Sequence, residues 1–374
     1  MFFDRASYIT HAASFPMNIA LVRRGFSRTG GAESYIKRLG RELAEAGHTA
    51  TLYSTKDWPR GEWPYGRLVQ VTGSSPLQFA KAVQSARQPE EMLYSLERLL
   101  QCDCYRAGDG VHKLWLKRRV AHEAGWRTFF RFLNRKHAEL LQLESNLFRE
   151  GGAGHVIANS RMIQREIIAT FGYPEQKITV IYNGLPETHF AQRAQSRAET
   201  RQLWRLDPRD FTLLFAGSGW ERKGLKYLIE AIEGSSAPHV KLLVAGKGKK
   251  GAFRSGRARF LGPVAEMHSL LMAADLFVLP TVYDPFSNAC LEALSYGLPV
   301  ITTMSNGFSD IIVNGVHGTV IDRADNVTAL REAIQAWEDP ARRETARDLS
   351  VEVARRYTMK NNVDQTLRVL EALR

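Results

Sequence analysis

Eight short apolar runs set the architecture of this chain of 374 residues. They are MNIALVR (17–23), HTATLYS (48–54), HVIANS (155–160), KITVIYN (177–183), FTLLFAG (211–217), VKLLVAG (240–246), DLFVLPT (275–281) and PVITT (299–303). A strand with one wet face alternates apolar and polar residues, whereas a strand covered on both faces is apolar almost throughout. These runs are of the second kind. Helical patterns separate most of them, as in AESYIKRLGRELAEAG (32–47) and GLKYLIEAIEG (224–234). Strand and helix in alternation predict an α/β fold with parallel sheets covered on both sides.

The length fits two domains. The segment AQRAQSRAETRQLWRLDPRD (191–210) is polar and then helical, and a new strand series starts at Phe211, so the boundary is expected near residues 184–190. The expected division is an N-terminal extension (1–16), a first Rossmann-like domain (17–186), a second (187–357) and a C-terminal helix (358–374) packing back on the first. Two doubly wound domains of this kind face each other across a cleft and take ligands at the carboxyl ends of their strands. The first sixteen residues carry acid and polar groups where a signal peptide has its apolar core, and no apolar run approaches the ~20 residues needed to span a bilayer. Cys102, Cys104 and Cys290 form neither a disulfide framework nor a zinc pattern. The expectation is a protein of the cytosol or of its membrane surface.

Net charge is +12, which points to nucleic acid, anionic membrane or phosphorylated small molecules. Its location is informative. The stretch KLWLKRRVAHEAGWRTFFRFLNRKH (113–137) holds eight Lys or Arg and one Glu. Trp126, Phe129, Phe130 and Leu133 recur at helical spacing, so one face is aromatic. A helix of that composition suits a membrane interface. Lys117, Arg118, Arg119, Trp126, Arg127, Phe130 and Arg131 are therefore candidates for contact with a membrane or an anionic acceptor. No recognised nucleic-acid motif accompanies them.

Three motifs carry chemistry. In RTGGAESY (28–35), Gly30 and Gly31 let backbone approach a ligand at a helix start, as suits a phosphate or the sugar beside it. In GSGWERKGLKYL (217–228), Arg222 and Lys223 stand where a helix begins. Two cations there oppose the helix dipole unless an anion offsets them. In YDPFSNACLEALSYGLPVI (283–301), a helix is expected from a cap at Ser287 until Gly297 and Pro299 stop it. Asp284 and Glu292 flank its mouth, where acids suited to sugar hydroxyls, or simply to the helix dipole, would lie.

As an ordered set these motifs resemble the retaining, family-4-type glycosyltransferases, over roughly residues 17 to 357. YDPFSNACLEALSYGLPVI resembles the donor signature of that family, ERKG its Arg-Lys pair and TGGAE its glycine loop; VIANSRMIQREI, VIYNG and FLGPV agree in kind and order. The resemblance implies a GT-B fold with a nucleotide sugar, expected to be a UDP-hexose, in the second domain and the acceptor on the first. It implies that Arg222 and Lys223 hold the diphosphate, Glu292 the ribose, and Gly30 and Gly31 the transferring sugar, while backbone at Gly262 to Val264 reads the base. Asp284 stands where the family has Glu, and its shorter reach bears on which sugar is gripped. CDCYRAGDGVHKLW, with the basic segment after it, resembles the lipopolysaccharide core glucosyltransferases. By that resemblance Asp109 belongs to the active site, in preference to Asp103, with His112 beside it either as a site residue or as a neutral structural histidine. The implied setting is the cytoplasmic face of an anionic membrane, with a glycolipid or lipopolysaccharide-core acceptor. No Asp-x-Asp pair occurs, so neither metal nor cofactor is expected.

Two other readings share parts of this pattern. A dinucleotide-dependent oxidoreductase needs G-x-G-x-x-G after the first strand, and RGFSRTGG (24–31) does not supply it. A UDP-sugar epimerase of GT-B fold would differ in its reaction.

Overall fold

The computed structural model describes residues 16–27, 31–122, 134–190, 196–249, 251 and 253–374. Two parallel sheets organise it. The first contains β1 (Asn18–Val22), β2 (Thr49–Ser54), β3 (Gly66–Gln70), β4 (Met92–Ser95), β5 (Cys102–Arg106), β6 (Ala153–Ala158) and β7 (Ile178–Val180), in the order 3-2-1-4-5-6-7. The second contains β8 (Phe211–Ala216), β9 (Val240–Ala245), β10 (Ala258–Gly262), β11 (Leu276–Leu279), β12 (Val300–Thr303) and β13 (Gly318–Ile321), in the order 10-9-8-11-12-13. The fold is GT-B in type, two Rossmann-like domains. All eight apolar runs form strands.

Five strands went unanticipated, each for a physical reason. β3 is an edge strand with largely wet faces, and β10 and β13 are half-buried edges. β4 is only four residues long. β5, CDCYR, lies inside the first sheet although its charged residues leave it outside the apolar runs. Its charges are answered locally: Asp103 accepts from Arg87 (2.6 Å) and from the Leu93 N–H (2.7 Å), and Arg106 donates to Asn183 (2.6 Å).

Each sheet reverses its winding once, between β1 and β4 and between β8 and β11. A crevice opens at such a switch point beyond the strand ends. The chain leaving β8 carries Arg222 and Lys223, and the chain leaving β11 carries Asp284. The basic segment is not one helix. A helix spans His112–Ala121 and another begins at Arg135, with Asn134 capping it. Helix Met359–Ala372 packs on the first domain, with Met359, Val363 and Leu370 buried against Met17, Ile36 and Leu39.

Candidate active site

The turn after β8 is laced to the strand end across the switch point. The Val282 N–H and the Thr281 hydroxyl both donate to the Arg222 carbonyl, at 2.9 and 3.0 Å. Gly224 closes this turn at φ +77, and a Cβ there would lie 1.9 Å from the Pro280 carbonyl oxygen. The approach therefore demands glycine. Lys223 Nζ then donates to Asp284 Oδ2 at 2.7 Å, with Arg222 Nη1 at 3.5 Å from the same oxygen. Lys223 and Asp284 are 9% and 6% exposed, while the Arg222 side chain is 34% exposed and also donates to the Tyr283 carbonyl. Burial pushes the Asp284 carboxyl up, but Lys223 and Arg222 outweigh it and hold the group below its ordinary value.

Helix Asn288–Ser295 starts just beyond. Ser287 occupies the cap position, but its side chain caps nothing. Asn306 Oδ1 accepts from the Ser287 N–H (3.2 Å), which fixes the approach to this helix, and from the Phe308 N–H (3.1 Å), where it caps the short helix Gly307–Ile311. Glu292 lies one turn inside. Burial pushes its carboxyl up, opposed by Arg38 of the first domain and by Lys223. Among the described residues no side chain or N–H is bonded to this carboxylate. At the end of β10, Gly262 adopts φ +72 and its carbonyl accepts from the Gly246 N–H (2.8 Å), while Val264 packs against the core.

On the facing side, the turn after β5 carries Asp109. This aspartate is exposed and has no hydrogen bond to its carboxylate among the described residues. It lies in the fields of Arg23 and Arg98. The turn beneath it is rigid. Arg98 donates to the Gly110 carbonyl (2.7 Å) and pairs with the fully buried Glu144 (3.1 Å). Glu144 in turn accepts from the N–H groups of His112 (2.6 Å) and Lys113 (2.9 Å), capping the basic helix. The His112 ring is 3.1 Å from that of His137, and burial, with Arg98, His137 and Lys136, pushes it down to about 3. It is a neutral histidine at physiological pH.

The first half matches the Glycosyltransferase Family 4 model over residues 29–188, and the second the Glycosyl transferases group 1 model over residues 210–339. The chain belongs to the GT-B glycosyltransferases. It is 25% identical over 350 residues to the lipopolysaccharide glucosyltransferase WaaG of Escherichia coli K12, a match covering 84% of this chain and 90% of WaaG. The crystal structure of WaaG superposes with a TM-score of 0.78 at 21% identity, over 94% of this chain and 99% of that one. HepE of Anabaena, solved with UDP and glucose, gives a TM-score of 0.71 at 19% identity, over 94% and 98%. An uncharacterized glycosyltransferase of Methanocaldococcus jannaschii is 30% identical over 177 residues, 44% of this chain and 45% of that protein.

Within this glycosyltransferase, Arg222, Lys223, Asp284 and Glu292 converge at the mouth of one helix. Gly31 opens helix Gly31–Glu45 in the first domain. Gly30, Trp126, Arg127, Phe130 and Arg131 lie outside the described residues. Lys117 is exposed on the basic helix, and Arg119 lies over the Trp115 ring at 5.6 Å. Arg118 is not a free surface cation: it pairs with Glu166 (2.7 Å) and sits 4.8 Å from the Tyr283 ring. Sequence reasoning missed Arg38, Asn306, Glu166 and Tyr283. Tyr283 and Glu166 sat inside recognised motifs, YDPFSNACLEALSYGLPVI and VIANSRMIQREI, but nothing in one sequence pairs them across the two domains.

Proposed function

We propose that the protein is a retaining, metal-independent hexosyltransferase that moves a sugar from a nucleotide sugar, UDP-hexose by preference, to a glycolipid or lipopolysaccharide-core acceptor. The observation that carries this reading is the buried Lys223–Asp284 pair, with Arg222, at the switch point beside the N-terminus of helix Asn288–Ser295. Breaking a glycosyl–phosphate bond builds negative charge on the departing diphosphate and positive charge on the sugar ring. Lysine has three donors, and Asp284 takes one, so Lys223 can still meet a phosphate oxygen. Arg222, more open, meets a second. Fixed cations in a partly dry site cost no reorganisation as charge develops, and they take the role a divalent ion plays elsewhere. Glu292 accepts from the ribose hydroxyls and so fixes the anomeric carbon. Asp284 orients the sugar, and Asp109, from the other domain, meets the sugar or the acceptor hydroxyl. The relatives support the donor and acceptor classes: HepE was solved with UDP and glucose, and WaaG is a lipopolysaccharide glucosyltransferase.

The test is incubation of purified protein with a panel of nucleotide sugars, with and without a core-sugar acceptor, read by mass spectrometry. Slow hydrolysis of one donor, transfer with the same anomeric configuration, and indifference to EDTA are expected. Isomerisation of the sugar without acceptor would instead identify an epimerase.

The membrane part of the reading rests on the basic segment. Among the described residues no helix is long and apolar enough to cross a bilayer, so contact would be peripheral. Each basic residue near an anionic surface contributes about 1 kcal/mol. Replacing Lys117, Arg119, Arg127 and Arg131 by Gln should abolish co-sedimentation with anionic vesicles. A variant that still sediments but loses acceptor turnover would make the segment an acceptor site.

A further inference from the structure

The loop from Tyr283 to Asn288 belongs to the donor domain by sequence but is gripped by the first domain. The Tyr283 hydroxyl accepts from the Val111 N–H at 2.8 Å and donates to Glu166 at 2.9 Å. Its ring, 2% exposed, stacks on Trp115 with centroids 6.2 Å apart and planes 15° apart. Ser160 Oγ donates to the Pro285 carbonyl at 2.9 Å. At the far end, Asn183 Nδ2 donates to Asn288 Oδ1 at 2.7 Å, and Asn183 is itself held by the buried Arg106. Beyond the loop, His122 at the end of the basic helix bonds the Tyr227 hydroxyl of the donor domain at 2.7 Å.

These contacts bracket Asp284. Its chain neighbours, Tyr283 and Pro285, are both bonded to the first domain, while its own carboxylate is bonded to Lys223 of the second. Val111, the partner of Tyr283, lies two residues after Asp109. Between them Gly110 adopts φ +67, and a Cβ there would meet the Tyr283 hydroxyl at 2.4 Å and Pro285 Cγ at 2.8 Å. The glycine is what lets the Asp109 turn and the Asp284 loop come this close.

We propose that Tyr283 is a positioning residue: its hydroxyl ties the loop carrying Asp284 to the turn carrying Asp109, and so fixes the distance between the donor-side and acceptor-side carboxylates. This rests on the glycosyl-transfer reading above. A transferase needs donor and acceptor groups held together only for the transfer step, whereas the proposed nucleotide contacts, Arg222, Lys223 and Glu292, all lie in the second domain. Loosening the tether therefore separates two quantities that a general loss of folding would move together.

Tyr283→Phe keeps the ring on Trp115 and removes the hydroxyl. Assayed well below its Tm, it should lower kcat for transfer by about 10- to 100-fold, the scale of a small misplacement of reacting groups. UDP affinity by calorimetry should stay within about twofold, and donor hydrolysis should fall less than transfer. Gly110→Ala presses on the same contact from the other side and should reproduce this pattern. Glu166→Gln weakens the acceptor of that hydroxyl and removes the charge facing Arg118, so it should lower kcat in the same direction but by less than Tyr283→Phe. The proposal is overturned if Tyr283→Phe keeps wild-type kcat, or if kcat and UDP affinity fall in equal measure. Should the wild-type protein turn over no nucleotide sugar, the glycosyl-transfer reading itself fails, and the positioning role with it.

Discussion

Asp284 and Asp109 face one cleft from two domains and are built in opposite ways. Asp284 is buried, bonded to Lys223 and near Arg222, and its carboxyl is held below the ordinary range. Asp109 is exposed on a turn whose rigidity comes from groups beneath it: Arg98, Glu144 and the Gly110 backbone. The second domain fixes its charges in advance. The first fixes a backbone and leaves the carboxylate open. Under the proposed transfer, a site for one constant diphosphate gains from the first design, and a site for a variable acceptor gains from the second.

The largest test of that contrast is Lys223→Ala. Removing one partner of a buried ion pair strands the other, at a cost of about 3–5 kcal/mol of stability. Transfer should also fall by the ~2–4 kcal/mol of one electrostatic donor. The pH dependence should invert as well. In the wild type Asp284 contributes stability at neutral pH that is lost as pH falls through its depressed value. Without Lys223 burial pushes the carboxyl up, so the variant should be steadied by acid. Adding Asp284→Asn should restore much of the Tm but none of the transfer. Arg222→Ala, at a more open position, should lose a comparable ~2–4 kcal/mol of transition-state stabilisation with little change in Tm. Equal thermal losses in the two single variants would erase the distinction between a buried and an open cation.

Glu292→Gln comes next. A hydrogen bond to a charged group is worth about 1.5–3 kcal/mol, so nucleotide affinity should drop roughly 10- to 100-fold by calorimetry. Unchanged affinity would make Glu292 a structural acid. Asp109→Ala should cost transfer roughly tenfold, or ~1.5 kcal/mol, while leaving UDP affinity and Tm alone. If UDP affinity falls by the same factor, Asp109 belongs to the donor side and the division of labour is wrong.

The contrast also explains what the sequence disclosed. The donor domain is built from runs such as FTLLFA and VKLLVA, apolar because both faces are covered, and its cations and acids sit in continuous motifs. The first domain hides more. GRLVQ is polar because it is an edge, and CDCYR hides a sheet-interior strand behind charged side chains, Asp103 paired with Arg87 and Arg106 hydrogen-bonded to Asn183. Ser287 looks like a cap, yet its side chain caps nothing and its own N–H is held by Asn306, nineteen positions on. The Tyr283–Val111 bond joins residues 172 apart, which no local pattern can report. Arg118 reads as one more surface charge until Glu166 and Tyr283 are brought beneath it.

The smallest effect concerns His112, and it asks whether the base of the acceptor turn is as dry as its geometry implies. Burial, with Arg98, His137 and Lys136, pushes the ring down to about 3, from an ordinary value of 6.5. Between those values the unfolded chain binds a proton that the folded protein refuses. Stability is therefore full above pH ~6.5 and declines as pH falls toward 3, by up to about 1.4 kcal/mol per pH unit for one such group. Glu97, Glu166 and Glu292 work in the other direction, because burial pushes their carboxyls up and acid relieves them. The wild-type profile mixes these contributions, but a difference between variants isolates one. His112→Gln should lower Tm at about pH 7.5, where it loses the His137 contact and gains nothing. Toward pH 5.5 the gap between wild type and variant should narrow, since only the wild type then resists a proton. A gap that stays constant across that range would mean the ring charges freely in the folded protein, and the turn under Asp109 would then be as wet as Asp109 itself.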